Sequence, residues 1–180
     1  MNSVRDSLLL QRAIEFESSI CTRVNRVCRR KWLKIFFSAI SRLGDGILWY
    51  ALTLVLPLVY GYDAIAVSLR MAITGILGLI VYKIIKRHTE RPRPYSVLKD
   101  IKLGTAPLDK YSFPSGHTLH AVSFSLICIQ YYPQLAWFLI PASLLIALSR
   151  VALGLHYPTD VLAGAAIGYL LSLVGTMIIL

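Results

Sequence analysis

Between Tyr111 and Leu180 this sequence carries only two permanently charged side chains, Arg150 and Asp160. So little charge excludes a solvated surface over that part of the chain. A charge inside an apolar span costs about 2.5–3.5 kcal/mol on insertion scales, so each of the two should face a site or a partner rather than lipid. Acidic residues are few throughout, nine Asp and Glu against nineteen Lys and Arg, and no cluster of carboxylates stands ready to hold magnesium. Cysteine is scarce as well. Cys21, Cys28 and Cys128 form no C-x-x-C pair and no zinc spacing, and an odd count argues against a disulfide framework, so they read as free, packing thiols. No cleavable signal peptide is evident, because Arg5, Asp6, Arg12, Glu15 and Glu17 interrupt the apolar run near the start.

What is abundant is hydrophobicity: 56% of the 180 residues are apolar and the mean hydropathy is +0.63. The apolar runs recur in series, which suits one integral membrane domain over residues 1–180 better than a soluble core. The formal charge of +10 is unevenly placed, with 18 of the 19 Lys and Arg before Tyr111. Basic clusters beside membrane spans meet anionic headgroups or phosphates more often than nucleic acid.

The expected fold is all-α: a membrane helical bundle of about five transmembrane helices (46–180) preceded by an interfacial amphipathic segment (1–45). Within that segment Val4, Leu8, Ile14, Ile20, Val24 and Val27 alternate with basic residues at loosely helical spacing, and no stretch of 3–43 is long enough to cross a bilayer. Spans are expected at about 47–62, 64–85, 118–132, 134–149 and 161–180, with Asp45 placed to cap the first. As one straight helix, residues 118–149 would run roughly 48 Å, against a hydrocarbon core of about 30 Å, so they must fold back at Pro133. The hairpin returns the chain to the face it left, which puts Lys86, Arg93, His117, Arg150 and His156 at one membrane surface. Gly164 and Gly168 make a small-x-x-x-small face for close packing within the bundle.

Three stretches carry candidate chemistry. Lys86-Arg87-His88-Thr89-Glu90-Arg91-Pro92-Arg93-Pro94 is a basic loop that either anchors headgroups or binds a phosphate. Phe113-Pro114-Ser115-Gly116-His117-Thr118 opens a helix whose free N–H groups and dipole favour an anion, beside a histidine able to move a proton. In Ser149-Arg150-Val151-Ala152-Leu153-Gly154-Leu155-His156-Tyr157-Pro158-Thr159-Asp160, Pro158 sets a helix start and Asp160 falls in its first turn, within reach of the His156 imidazole. A carboxylate bonded to one ring nitrogen makes the other the nucleophile or base. Together these supply cations, a helix N-terminus, an acid and an oriented nucleophile, the parts that phosphoryl transfer needs. His88 and His120 are the remaining histidines, with His120 near enough to His117 to tune it, and Tyr95, Tyr111 and Tyr157 read as interfacial aromatic anchors.

Lys86-x6-Arg93-Pro94, Pro114-Ser115-Gly116-His117 and Ser149-Arg150-x5-His156-x3-Asp160 resemble the three signature motifs of the type 2 phosphatidic acid phosphatase superfamily. That superfamily includes bacterial lipid phosphatases, undecaprenyl pyrophosphate phosphatases, glucose-6-phosphatase and the vanadium haloperoxidases. The motifs match in residue, order and internal spacing, and they specify the family while leaving the substrate open. The resemblance implies that His156 attacks phosphorus to give a phosphohistidine, with Asp160 bonded to its far nitrogen. His117 would protonate the leaving oxygen and then activate water. Lys86, Arg93 and Arg150 would hold the phosphate oxygens, joined by the Ser115 hydroxyl and the Gly116 backbone N–H. It also implies no metal or other cofactor, and inhibition by vanadate.

The expectation is therefore a metal-independent membrane lipid phosphatase, its substrate undecaprenyl pyrophosphate or else phosphatidic acid or phosphatidylglycerol phosphate. Two alternatives remain: a phosphotransferase using the same phosphohistidine, and a non-catalytic lipid-phosphate-binding protein, against which the intact His117, His156 and Asp160 argue. Haloperoxidase activity is disfavoured because those relatives are soluble. The short chain, without a large soluble insertion, looks bacterial. The positive-inside tendency assigns the basic segments to the cytoplasm, whereas bacterial relatives that act on undecaprenyl pyrophosphate present the site to the periplasm. Because some of the cations are explained by phosphate binding, the expected location is an inner membrane with the site facing the periplasm.

Overall fold

The computed structural model describes residues 2–178, with side chains from residue 11 onward. The side chains of Val4, Arg5, Asp6 and Leu8 of the amphipathic pattern, and residues 179–180 of the last expected span, therefore lie outside what is described. All elements among the described residues are helical: α1 (Asn2–Asn25), α2 (Lys31–Arg42), α3 (Leu48–Tyr60), α4 (Asp63–Thr89), α5 (Pro94–Val97), α6 (Gly116–Tyr131), α7 (Ala136–Ala152) and α8 (Pro158–Met177). The expected all-α membrane bundle is what the chain forms.

Among the described residues four helical stretches are long and apolar enough to cross a membrane: Lys31–Tyr60, Asp63–Val97, Pro133–Ala152 and Pro158–Met177. The first corrects the sequence-based boundary. Alone, the 13 residues of α3 rise only about 20 Å at 1.5 Å per residue, and the run reaches spanning length because α2 continues into it through a widened turn, Leu43–Ile47. Gly46 makes the kink there at φ 133°, a conformation an L side chain rarely adopts.

The span expected at about 118–132 is α6, whose 16 residues rise about 24 Å. It falls short because it is the central helix, packed on α4, α7 and α8. Surrounded by protein rather than lipid, it can carry the buried Ser123 and Ser125 and need not match the bilayer. Pro133 opens a single turn, Pro133–Leu135, that reverses the chain from α6 into α7, as the hairpin expectation required.

Helices α6 and α8 pack with their backbones close together. A Cβ added at Gly164 would strike the Ser115 carbonyl, and one at Gly168 the Leu119 carbonyl. The small-residue face is therefore consumed inside the chain. At the other end of the sequence, α1 packs on α7 and α8, and on the loop after α5. Asn25 Nδ2 donates to the carbonyls of Ala152 (2.8 Å) and Lys102 (2.9 Å), and its Oδ1 accepts from the Lys102 N–H (2.9 Å). The three cysteines are buried free thiols, as their reading anticipated. Burial pushes the Cys21 thiol up to about 12, with Glu17 and Asp160 adding to the effect.

Candidate active site

The basic stretch begins while α4 is still helical. Asp63 in its first turn and Lys86, Arg87 and His88 in its last complement the helix dipole, and Glu90, left-handed at φ 44°, ends it. The chain then runs extended into α5, which opens on Pro94. This geometry turns Lys86 and Arg93 the same way, and both are buried. Lys86 Nζ donates to Asp109 Oδ1 (2.8 Å) and Oδ2 (2.7 Å), and Arg93 Nη2 donates to Asp109 Oδ1 (2.8 Å). Arg93 also donates through Nε to the Asp109 carbonyl (3.1 Å) and through Nη1 to the Leu155 carbonyl (2.8 Å). Arg150, in the last turn of α7, donates to the Ser41 hydroxyl, while its buried Nε has no hydrogen-bond partner among the described residues. An unpaired charged donor out of water is expensive, and a ligand oxygen is the kind of partner it lacks.

At the start of α6, Ser115 occupies the cap position, and its hydroxyl lies 3.0 Å from Thr118 Oγ1 and 3.5 Å from the Thr118 N–H. That bonding serves the helix end, and Ser115 does not line the cleft, whereas Gly116 and His117 do. The expected hydroxyl contact to phosphate is thus not prepared in this arrangement. Asp45 is corrected outright. No side chain caps α3, and the Asp45 carboxylate is bonded to His117 Nε2. The kink at Gly46 carries residue 45 toward α6, so the carboxylate binds a histidine 72 positions away. His120 lines the same cleft, but its ring nitrogens sit on the Gly116 (2.9 Å) and Gly75 (3.2 Å) carbonyls, tying α6 to α4.

His156 lies in the short connection before α8, with Nε2 3.3 Å from Arg93 Nη1. A guanidinium only donates, so Nε2 holds a lone pair and the ring proton sits on Nδ1. Asp160 Oδ2 is 3.6 Å from Nδ1, facing it across a gap slightly longer than a hydrogen bond, and Nδ1 has no other partner among the described residues. The carboxylate is held instead by the Tyr157 N–H (2.8 Å) and by Arg91 Nη1 (2.6 Å). Burial, and then the nearby Arg150, Arg93 and Lys86 charges, hold His156 well below its ordinary value, so the imidazole is neutral at pH 7. Asp109 shows the opposite balance. Burial raises it, yet its bonds and charge contacts with Lys86 and Arg93 outweigh that and keep it below the usual carboxylate range.

Lys86, Arg93, Gly116, His117, Arg150 and His156, drawn from three stretches of sequence, thus surround one cleft of about 170 Å³, with Leu79, Tyr82 and Leu108 as its apolar wall. The sequence model of the PAP2 superfamily matches residues 63–179, which contain all three stretches. The chain belongs to the PAP2 superfamily. Among PAP2 relatives it is 29% identical to phosphatidylglycerophosphatase B of Bacillus subtilis, over 88% of this chain and 81% of that one. To the undecaprenyl-diphosphatase of Sulfolobus acidocaldarius it is 26% identical, over 86% and 73%. Two crystal structures share the fold at 25% identity. They are the transmembrane PAP2-type phosphatidylglycerolphosphate phosphatase of Bacillus subtilis (TM-score 0.71, covering 91% of this chain and 85% of that one) and Aquifex aeolicus LpxE (TM-score 0.72, 89% and 94%).

Four side chains at this PAP2 site escaped sequence reasoning: Asp45, Asp109, Arg91 and Glu17. Arg91 joins Asp160 to Glu17 and stacks 4.1 Å over the Tyr157 ring, so Tyr157 is a buried element of the site rather than an interfacial anchor. Of the other two tyrosines, Tyr95 packs in the core and Tyr111 donates to Glu90 (2.9 Å). A signal for Arg91 was present in its place inside the first motif. None existed for the three carboxylates, whose partners lie 16 to 74 positions away.

Proposed function

We propose that this PAP2 protein removes phosphate from a membrane lipid phosphomonoester or pyrophosphate by way of a phosphohistidine, the whole chain acting as one catalytic domain. The membrane lipid phosphatase class is supported by the family and by the names of the relatives. The observation that carries the chemistry is the neutral His156, its Nε2 lone pair at the cleft among Arg93, Lys86 and Arg150. Nε2 attacks phosphorus and the ester or anhydride oxygen leaves, taking a proton from His117. The three cations and the Gly116 N–H stabilise charge on the equatorial oxygens. His117, now neutral, takes a proton from water, whose oxygen attacks the phosphohistidine and releases inorganic phosphate. Burial and then the Arg150 charge pull His117 down to about 4, Asp45 opposes them in favour of the charged form, and Asp160 faces the Nδ1–H as His156 becomes positive.

Leu79, Tyr82 and Leu108 give the cleft an apolar side along which a lipid can approach from the bilayer. Undecaprenyl pyrophosphate is the favoured substrate, with phosphatidylglycerol phosphate and phosphatidic acid next, and the site is assigned to the periplasmic face of an inner membrane. Phosphate release by detergent-purified protein from each of these lipids, with EDTA present and His156→Ala in parallel, tests the activity. Release that requires His156 and survives EDTA is expected, and release unaffected by His156→Ala refutes the mechanism. The side is tested by labelling Lys99→Cys in whole cells with an impermeant thiol reagent, where reaction only after membrane disruption overturns the periplasmic assignment.

A further inference from the structure

Asp109 contributes no part to the chemistry above, yet its carboxylate sits where substrate oxygens would have to go. Both oxygens contact Lys86, and one of them also receives Arg93. Two of the three phosphate-binding cations therefore already share one anion, while Arg150 Nε has no partner among the described residues. The surrounding loop is built to bring this side chain in. It is tied at Gly104, whose N–H donates to the Leu153 carbonyl (3.1 Å), and at Ser112, whose N–H donates to the Arg91 carbonyl (2.9 Å). Between those ties the Asp109 carbonyl rests on Arg93 Nε, so the carboxylate can swing away while the backbone stays attached. The side chain is 36% exposed and has room to move outward.

Resting on the phosphatase reading, we propose that Asp109 is a displaceable internal anion that sets the site's selectivity between lipid phosphate and free inorganic phosphate. With the site empty it keeps Lys86 and Arg93 paired and in position. A lipid phosphate displaces it because its hydrocarbon portion contributes binding that does not depend on the cations. Inorganic phosphate, the product, lacks that portion and competes with Asp109 through charge alone, so the returning carboxylate expels it and clears the cleft. A ligand whose competent state is only partly populated binds more weakly in proportion to that population.

Direct titration of the purified full-length protein with inorganic phosphate tests this without needing turnover. If the displaced state is about 1–10% populated, as minor conformers commonly are, Asp109→Asn should bind phosphate about ten- to a hundredfold more tightly. Its product inhibition during lipid hydrolysis should rise in step, while Asp109→Glu, which keeps the carboxylate, stays weak. Equal or weaker phosphate binding by Asp109→Asn overturns the proposal. Should that variant not fold, Asp109→Ser is titrated in the same way. In the wild-type protein, a structure with phosphate bound should show the carboxylate withdrawn from Lys86, and phosphate seated with Asp109 still bridging Lys86 and Arg93 also overturns it. Failure of the phosphatase reading would appear elsewhere, as no release of phosphate from any lipid.

Discussion

Arg91 offers the sharpest test of how the N-terminal helix serves the site. Its guanidinium bridges Glu17 on α1 and Asp160 on α8, and also donates to Thr159 Oγ1 (2.8 Å). The Asp160 side chain is 0% exposed, so Arg91→Gln leaves it with the Tyr157 N–H as its remaining hydrogen bond. Removing one partner of a buried pair costs about 3–5 kcal/mol, and the partial exposure of Arg91 (26%) favours the lower end, about 3 kcal/mol. Lost stacking on Tyr157 adds about 0.5–1 kcal/mol. Glu17→Gln keeps a neutral hydrogen bond and should cost about 1–1.5 kcal/mol. Because both substitutions remove one ion pair, the double variant should fall short of the sum by about 1 kcal/mol. The assay is equilibrium unfolding in mixed micelles with increasing SDS, beside phosphate release. Turnover should drop about tenfold to a hundredfold in Arg91→Gln, since an ångström of misplacement can cost about that much. Additivity within about 0.5 kcal/mol, or an Arg91→Gln loss below 1 kcal/mol, would refute the reasoning.

His156→Ala should lower turnover about a thousandfold or more while the protein still inserts and folds, as measured by single-turnover assay and detergent-stable chromatography. Asp45→Asn should reduce kcat about tenfold to a hundredfold with little change in KM, because it leaves less of His117 protonated without touching the cations. Gly168→Val should destabilise the bundle by about 1–3 kcal/mol, since its side chain meets the α6 backbone at Leu119, and the midpoint of SDS unfolding reads this. His156 has a lowered value in the folded protein, so below its ordinary 6.5 the unfolded chain binds the extra proton first. Stability that is complete above pH 6.5 should therefore decline as pH falls through the window beneath it. Subtracting His156→Gln from wild type in thermal unfolding from pH 8 to 5 isolates that decline.

The hydrophobic runs determined the helices and their reversal at Pro133, because a length of apolar chain and a proline act locally. Motif residues were legible for a similar reason: Pro158 and Asp160 set the start of α8 within one turn, and Lys86 lies at the end of a helix whose charges follow its dipole. Asp45 was misread for want of the opposite information. An aspartate before a helix is ordinarily a cap, and only the kink at Gly46 and the packing of α6 bring it to His117. Ser115, expected to meet phosphate, also caps its own helix through the hydroxyl, a local role that follows from its place before Gly116.

The sequence by itself therefore determined which helices form and which histidines and cations are brought to one end of the bundle, since spacing along a helix and turn chemistry require only neighbouring residues. Tertiary structure alone decided which carboxylate serves which partner: Asp45 for His117, Asp109 for Lys86 and Arg93, Glu17 for Arg91. A charge far along the chain has no pattern to reveal its partner. Pairing follows from which surfaces meet when the apolar faces pack, and from the cost of leaving a buried charge alone.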